Sequence, residues 1–128
     1  MNLLLDSHVW LWFAADDPRL SAAAKLAIES PAHNRFISIA SIWELSLKLS
    51  LGKLRLSQPF NEFVAEQMLA TQAQLLPIEV NHCLEVISLP MHHRDPFDRM
   101  LIVQAKVGGL VLVTADHAFE QYPIQRLW

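Results

Sequence analysis

Four acidic residues, Asp6, Glu44, Asp98 and Asp116, have types and positions in this chain that could support chemistry. Asp6 and Asp116 each follow a short apolar run, while Glu44 and Asp98 lie near the predicted beginnings of helices. In a parallel sheet the ends of the strands and the starts of the following helices meet at one edge, where ligands bind. Carboxylates crowded there repel one another, and Mg²⁺ or Mn²⁺ would relieve that repulsion. The sequence therefore predicts a divalent metal site.

Each acid also has an ordinary structural role open to it. Asp6 and Asp116 suit turns that follow strands. Glu44 stands three residues after Ser41, which is the spacing of a capping box, and Asp98 suits the first turn of a helix because of the helix dipole. The metal-site hypothesis is favoured because four separate structural coincidences would otherwise have to fall at one edge of the sheet.

Residues 93–105 contain the strongest helix start in the chain. Asp95 has the position of an N-cap and Pro96 suits the first helical position. The cap alone explains Asp95, and a direct role as a secondary acid stays open. His92 and His93 are adjacent, and no third histidine or cysteine follows at zinc-like spacing, so we predict structural or substrate-contacting roles for them.

The elements that must position the acids alternate between strands and helices. Strands are predicted over residues 2–5, 36–39, 75–78, 110–114 and 124–128, and helices over residues 9–15, 22–29, 41–51, from 59 onward, 82–88, 96–107 and 117–121. Ser41 and Asn81 are the predicted N-caps of two of these helices. The alternation predicts a single α/β domain over residues 1–128, with a parallel sheet and helices on both faces.

The composition supports a globular domain. The 128 residues are 52% hydrophobic and 18% charged, which is enough for a sizeable core. A net charge of −3 argues weakly against a generally basic nucleic-acid binder, since an acidic cluster lowers the sum while local basic patches remain. The single cysteine excludes an internal disulfide, and no run approaches the roughly 20 apolar residues of a membrane helix. We expect a soluble cytoplasmic protein.

Basic residues near the acids are candidates for substrate contacts. They are Lys48, Lys53, Arg55, Arg94 and Arg99. Arg94 and Arg99 flank Asp98, and we expect them, together with Lys48, to contact a phosphate backbone around an acidic centre. For Lys53 and Arg55 a solvated charged face is equally open.

Four motifs in order carry a resemblance that spans essentially the whole chain. They are Leu3-Leu4-Leu5-Asp6-Ser7-His8, Ser41-Ile42-Trp43-Glu44 with Lys48-Leu49-Ser50-Leu51-Gly52-Lys53-Leu54 after it, residues 92–105, and Val113-Thr114-Ala115-Asp116. Together they resemble PIN-domain ribonucleases, and most closely the VapC-type toxins of bacterial type II toxin–antitoxin systems.

The resemblance implies a three-layer α/β/α fold with a central parallel sheet. It also implies a Mg²⁺- or Mn²⁺-dependent endoribonuclease, a homodimer, and inhibition by a cognate VapB-type antitoxin whose C-terminal segment enters the acidic groove. Carried over by position, the catalytic acids are Asp6, Glu44, Asp98 and Asp116, with Asp6 and Asp98 as direct metal ligands. The family often has an arginine before the last acid, whereas this chain has Ala115.

Two other functions are compatible with acids at the ends of parallel strands. A phosphoacceptor signalling domain also places Mg²⁺ and acids at strand ends, but it needs a paired acid after the first strand and a lysine after a late one. Asp6-Ser7 and Thr114-Ala115-Asp116 provide neither. A catalytically silent PIN-fold binding module is the remaining alternative, and the presence of all four acids argues against it.

Overall fold

Five strands form one sheet in the computed structural model, which describes residues 1–128. The strands are Asn2–Leu5 (β1), Asn34–Ser38 (β2), Gln74–Leu76 (β3), Val111–Val113 (β4) and Gln125–Leu127 (β5). Their order across the sheet is β3-β2-β1-β4-β5, and every neighbouring pair is parallel. Leu5 pairs with Val113, so the residues that follow β1 and β4 lie side by side at one edge.

Six α-helices and one 3₁₀ helix connect the strands. They are Ser7–Ala14 (α1), Ala22–Glu29 (α2), Ile39–Ser50 (α3), Phe60–Thr71 (α4), Val80–Ile87 (α5), Pro96–Gly108 (α6) and a 3₁₀ helix over His117–Gln121. None of them is long and apolar enough to cross a membrane.

The central strand β1 is buried on both faces and separates two hydrophobic clusters. Leu3 and Leu5 pack with residues of α1 to α4, including Trp10 and Phe63, whose rings are 5.3 Å apart. Leu4 points to the other face and packs with residues of α6 and β4. Side chains alternate across a strand, and a parallel sheet needs helices on both faces to cover them. The predicted three-layer α/β/α fold is confirmed.

Three helices, α1, α3 and α5, begin two residues earlier than the sequence predicted. Asp6 caps α1, since its Oδ1 accepts a hydrogen bond from the Val9 N–H at 2.8 Å, and the helix therefore begins at Ser7 instead of residue 9. Ser38 caps α3 by accepting from the Ala40 N–H at 3.0 Å. The capping box predicted at Ser41 is wrong, because Ser41 is buried inside α3.

The predicted N-cap of α5 is also wrong. Glu79, not Asn81, occupies the cap, and the ring of His82 accepts a hydrogen bond from the Glu79 N–H at 3.0 Å. A histidine thus has the role that Glu or Gln usually plays in a capping box. Because the third helical residue is a histidine instead of Glu or Gln, the usual capping-box pattern does not identify this helix start.

Candidate active site

A cleft of about 300 Å³ opens at the sheet edge where β1 and β4 end. The residues that line it are Asp6, His8, Trp12, Asp98, Thr114, Ala115, Asp116 and Phe119. We call it the acidic cleft, because three of the four predicted acids line it. The fourth, Glu44, is close enough that its charge acts on Asp6 and Asp98.

Asp6 lies at the carboxyl end of β1 and is buried. Its backbone N–H donates to the Val113 carbonyl at 3.2 Å, which holds the residue against β4. Burial raises the pKa of Asp6, while hydrogen bonds from the Thr114 side chain and the Val9 N–H oppose the rise. The residue therefore combines a helix cap with a buried carboxylate that faces the cleft.

Glu44 lies in α3 and is held by two side chains. The Ser7 hydroxyl donates to Oε1 at 2.7 Å, and the Lys48 ammonium lies 3.2 Å from Oε2. Because α3 begins at Ile39, Glu44 belongs to the second turn and not to the first turn predicted for it. One lysine thus pairs with this acid, and Lys48 remains one third exposed.

Asp98 lies in the first turn of α6, as predicted. Burial raises its pKa to about 7, and the negative charges of Asp95, Glu44 and Asp6 act in the same direction, while His93 opposes them. A carboxyl group in this state is poorly neutralised by the protein itself.

Asp95 is the N-cap of α6. Its Oδ1 accepts hydrogen bonds from the N–H groups of Phe97 at 2.8 Å and Asp98 at 3.0 Å. The predicted cap is therefore confirmed. Beyond capping, the Asp95 carboxylate contributes to the raised pKa of Asp98.

Asp116 follows β4 and caps the 3₁₀ helix through a 2.9 Å hydrogen bond from the Ala118 N–H. Burial favours its neutral form, but the Ala118 N–H, the His93 ring and Arg126 outweigh burial and lower the pKa of Asp116. It is the most exposed of the four acids.

His93 is the site residue that sequence analysis did not assign to the acids. Its Nε2 lies 3.2 Å from Oδ2 of Asp116 and 3.2 Å from Oδ2 of Asp98. One ligand atom from each of these three residues lies within 4.8 Å of the others. One feature of the sequence could have indicated this role: His93 stands two residues before Asp95, the N-cap of α6. The neighbouring His92 drew attention instead to a possible histidine pair.

The predicted substrate contacts have different environments. Arg94 is exposed and forms no ion pair. Arg99 is buried, and its guanidinium donates only to backbone carbonyls at 3.0–3.3 Å, those of Val86, Leu89, Pro90 and His93. These donors hold the chain between α5 and α6, and the substrate contact expected of Arg99 stays a prediction.

The donor set fits a hard divalent cation. Carboxylate oxygens dominate it, which is what Mg²⁺ and Mn²⁺ prefer, and Mn²⁺ also accepts an imidazole nitrogen. Burial is the main cause of the raised pKa of Asp98, and the negative charges of Asp95, Glu44 and Asp6 add to the rise. Asp98 and Asp116, with His93 beside them, offer ligand atoms close enough together to hold such a cation, and Asp6 lines the same cleft.

The combination of this parallel sheet and these acids is that of a PIN-domain nuclease fold, and the family comparison agrees. Residues 3–125 match the model of the PIN domain family, and the chain belongs to that family. The resemblance predicted from the motifs is therefore confirmed.

A curated relative and several solved structures are similar to the chain. Ribonuclease VapC22 from Mycobacterium tuberculosis (strain ATCC 25618 / H37Rv) is 32% identical over 124 residues, which cover 94% of this chain and 92% of the relative. VapBC2 from Rickettsia felis, bound to a DNA fragment from its promoter, matches with a TM-score of 0.72 and 12% identity over 98% of this chain and 97% of that chain. DNA-bound VapBC from Salmonella typhimurium matches with a TM-score of 0.67 and 18% identity over 98% and 96%. The structural matches show the fold.

Proposed function

We propose that the protein is the toxin of a type II toxin–antitoxin pair and acts as a Mg²⁺- or Mn²⁺-dependent endoribonuclease on cytoplasmic RNA. The observation that carries the proposal is the set of four carboxylates brought to one sheet edge, where Lys48 is the only lysine or arginine in ion-pair contact with them. The name of the 32% identical relative, ribonuclease VapC22, supports the same reaction.

Each acid has a distinct part in this proposal. Asp6 and Asp98 would hold the cation, and because burial raises the pKa of Asp98 to about 7, a bound cation would favour the ionised form of that carboxyl group. Asp116, whose pKa is lowered, is ionised at neutral pH and adds a third carboxylate. A bound divalent cation lowers the pKa of a water molecule and stabilises negative charge on the phosphate.

Glu44 serves the site from behind the cleft. Ser7 and Lys48 hold its carboxylate in place, so its charge acts on Asp6 and Asp98 at a fixed position. The negative charge favours cation binding between those two residues.

Arg94 and Lys48 are the proposed contacts to the RNA backbone. Arg94 is exposed just before the start of α6, and Lys48 is partly exposed on α3 beside Glu44, so both cations are available to a phosphate. Such contacts position a nucleic acid without reading its sequence.

Two protein partners belong to the proposal. The antitoxin, of VapB type, would present a C-terminal segment to the acidic cleft, whose negative charge suits a basic segment. A second copy of the chain would form a homodimer, and α5 exposes an apolar stripe suited to an interface, formed by Val80, Leu84 and Ile87.

Cleavage of RNA by the purified protein tests the reaction. Protein freed of antitoxin should cleave single-stranded or looped RNA in Mg²⁺ or Mn²⁺, and excess EDTA should stop the reaction. Asp6→Asn, purified identically, controls for contaminating nucleases. Cleavage that persists in EDTA after repeated purification would contradict the metal mechanism, and Mn²⁺ binding without cleavage would favour a silent binding module.

Growth of cells that express the chain tests the toxin role. Expression alone should arrest growth, and a small co-encoded antitoxin should restore it, while the Asp6→Asn variant should leave growth unaffected. If RNA is cleaved in vitro but the parent protein does not affect growth, the toxin assignment fails and the nuclease assignment stands.

A further inference from the structure

We propose that His93 is a positioning residue of the acidic cleft, which holds the carboxylates of Asp98 and Asp116 at the separation that the divalent cation requires. The inference rests on the proposed function, because it concerns the same cation site. It assigns a role to a residue that lies outside the four acids.

The two ring nitrogens of His93 face different partners. Nδ1 accepts a hydrogen bond from the Asp95 backbone N–H at 3.4 Å. A neutral imidazole has one donor and one acceptor nitrogen, so an acceptor at Nδ1 places the hydrogen on Nε2. That Nε2–H donates to Oδ2 of Asp116 at 3.2 Å and lies at the same distance from Oδ2 of Asp98.

The position of the His93 ring is fixed from both sides of its backbone. The His93 N–H donates to the Tyr122 hydroxyl at 2.8 Å, and that hydroxyl donates to the Pro90 carbonyl at 2.7 Å. The His93 carbonyl accepts from Arg99 at 3.1 Å, and the ring lies against Phe119 with centroids 5.3 Å apart. The ring is therefore placed before any cation arrives.

A side chain that contacts both Asp98 and Asp116 is needed to fix their separation, because the two acids belong to different elements. Asp98 belongs to α6 and Asp116 to the turn after β4, and no other side chain bonds to both. Asp98 Oδ1 makes no hydrogen bond within the protein, whereas Oδ1 of Asp116 is used by Ala118. The Nε2–H group of His93, which lies near Oδ2 of both acids, reduces the repulsion between the two carboxylates and fixes their orientation.

Hydrogen bonds to ligating carboxylates affect metal binding strongly, and their loss typically weakens metal affinity by about 10- to 100-fold. Direct ligation by Nε2 is the competing role. It would require the hydrogen on Nδ1, where the Asp95 N–H already donates. The observed contacts therefore favour His93 as a donor to the ligands over His93 as a ligand.

Two variants that differ in reach separate these roles. In His93→Gln the amide nitrogen can occupy the place of Nε2 and still donate to the acids, whereas in His93→Asn it reaches only the place of Nδ1. Mn²⁺ titrations of both variants should show an affinity within about threefold of the parent for Gln and a loss of about 10- to 100-fold for Asn. An unchanged affinity in His93→Asn would overturn the inference.

Pulsed electron paramagnetic resonance of Mn²⁺ bound to the parent protein gives a second readout that needs no variant. The expected spectrum lacks the coupling of a directly coordinated ¹⁴N nucleus. Strong nitrogen coupling would make His93 a ligand and overturn the positioning role. A parent protein that binds no Mn²⁺ would overturn the proposed metal site as well, whereas normal parent binding with an unaffected His93→Asn overturns this inference alone.

Discussion

The buried arginines and the acids of the cleft differ in how the surrounding protein compensates their charges. Arg35 donates to the carbonyls of Thr71 at 2.6 Å, Ser30 at 2.7 Å and Ile28 at 3.2 Å, at the carboxyl ends of α4 and α2. Arg99 likewise donates to four carbonyls around the end of α5. Neither arginine has a carboxylate partner, and backbone carbonyls at or beyond helix ends accept hydrogen bonds from both.

Two acids of the cleft, Asp6 and Asp98, have no comparable compensation, since burial raises the pKa of both, whereas the pKa of Asp116 is lowered. Lys48 contacts Glu44, and His93 lies between Asp98 and Asp116, but the pKa of Asp98 is still raised to about 7. The comparison teaches that charges neutralised by the protein's own backbone stabilise the fold, whereas charges left crowded mark a place for a ligand of opposite sign.

Removal of one cleft carboxylate should have the largest effect, which is a loss of RNA cleavage. Asp98→Asn is expected to lower RNA cleavage by about 1,000-fold, equivalent to roughly 4 kcal/mol, because transition-state charge loses its cation. The measurement is the cleavage rate in Mn²⁺, with circular dichroism to verify the fold. Activity within tenfold of the parent would place the chemistry elsewhere.

Removal of a buried arginine should affect stability instead. Arg99→Met leaves four backbone carbonyls without their charged donor, and we expect a loss of about 3 kcal/mol in the free energy of unfolding. Urea denaturation measures it, with the exposed Arg94→Met as a matched control at less than about 0.5 kcal/mol. Equal losses in both variants would remove the distinction between the two arginines.

The metal-free protein should lose stability as the pH rises from about 5 to about 7. The folded-state pKa of Asp98, about 7, exceeds its unfolded value, so the stabilisation from its bound proton is complete below about pH 4 and is lost as the pH rises through 7. Asp116, with its lowered pKa, is ionised in both states over this range. Thermal melts in EDTA should show a smaller slope in Asp98→Asn, and identical slopes would contradict the raised pKa.

The smallest change in stability should follow the removal of the Ser7 hydroxyl, the neutral donor to Glu44. Ser7→Ala removes the 2.7 Å hydrogen bond to the buried Glu44 and should cost about 1 kcal/mol, less than the loss of an arginine. Ser46→Ala, on the exposed side of α3, is the control and should change stability by less than about 0.5 kcal/mol. A loss in Ser7→Ala no larger than that in the control would contradict a stabilising role of the Glu44 contact.

Local patterns predicted the sheet and the four acids because those signals lie within a few residues. The apolar run at Leu3, Leu4 and Leu5 ends in an acid, and Asp95-Pro96 begins a helix, so both elements were confirmed. In a parallel sheet the carboxyl ends of all strands lie at the same edge, so the local patterns were enough to predict that the acids after the strands lie near one another.

Long-range contacts could not be predicted in the same way. Ser38 and Ser41 are both competent caps, and the choice between them follows from where β2 ends. The sequence shows that Arg99 is charged, but it does not show that the partners of this arginine are backbone carbonyls at the end of α5 and in the loop before α6. The place of His93 depends on Tyr122 and on Asp116, which are distant in sequence.

Thermal melts of the parent, Asp98→Asn and Asp95→Asn, in EDTA and in Mn²⁺, test most directly whether the acidic cleft is a cation site. Mn²⁺ at a hundredfold excess over its dissociation constant should stabilise the parent by roughly 2.7 kcal/mol and Asp98→Asn much less. In EDTA, Asp98→Asn should melt at or above the parent because like-charge repulsion is removed. Asp95→Asn should keep most of the metal response, since Asn caps about as well as Asp. An Asp98→Asn protein destabilised in EDTA yet fully stabilised by Mn²⁺ would contradict the account and leave Asp98 a helix-dipole residue.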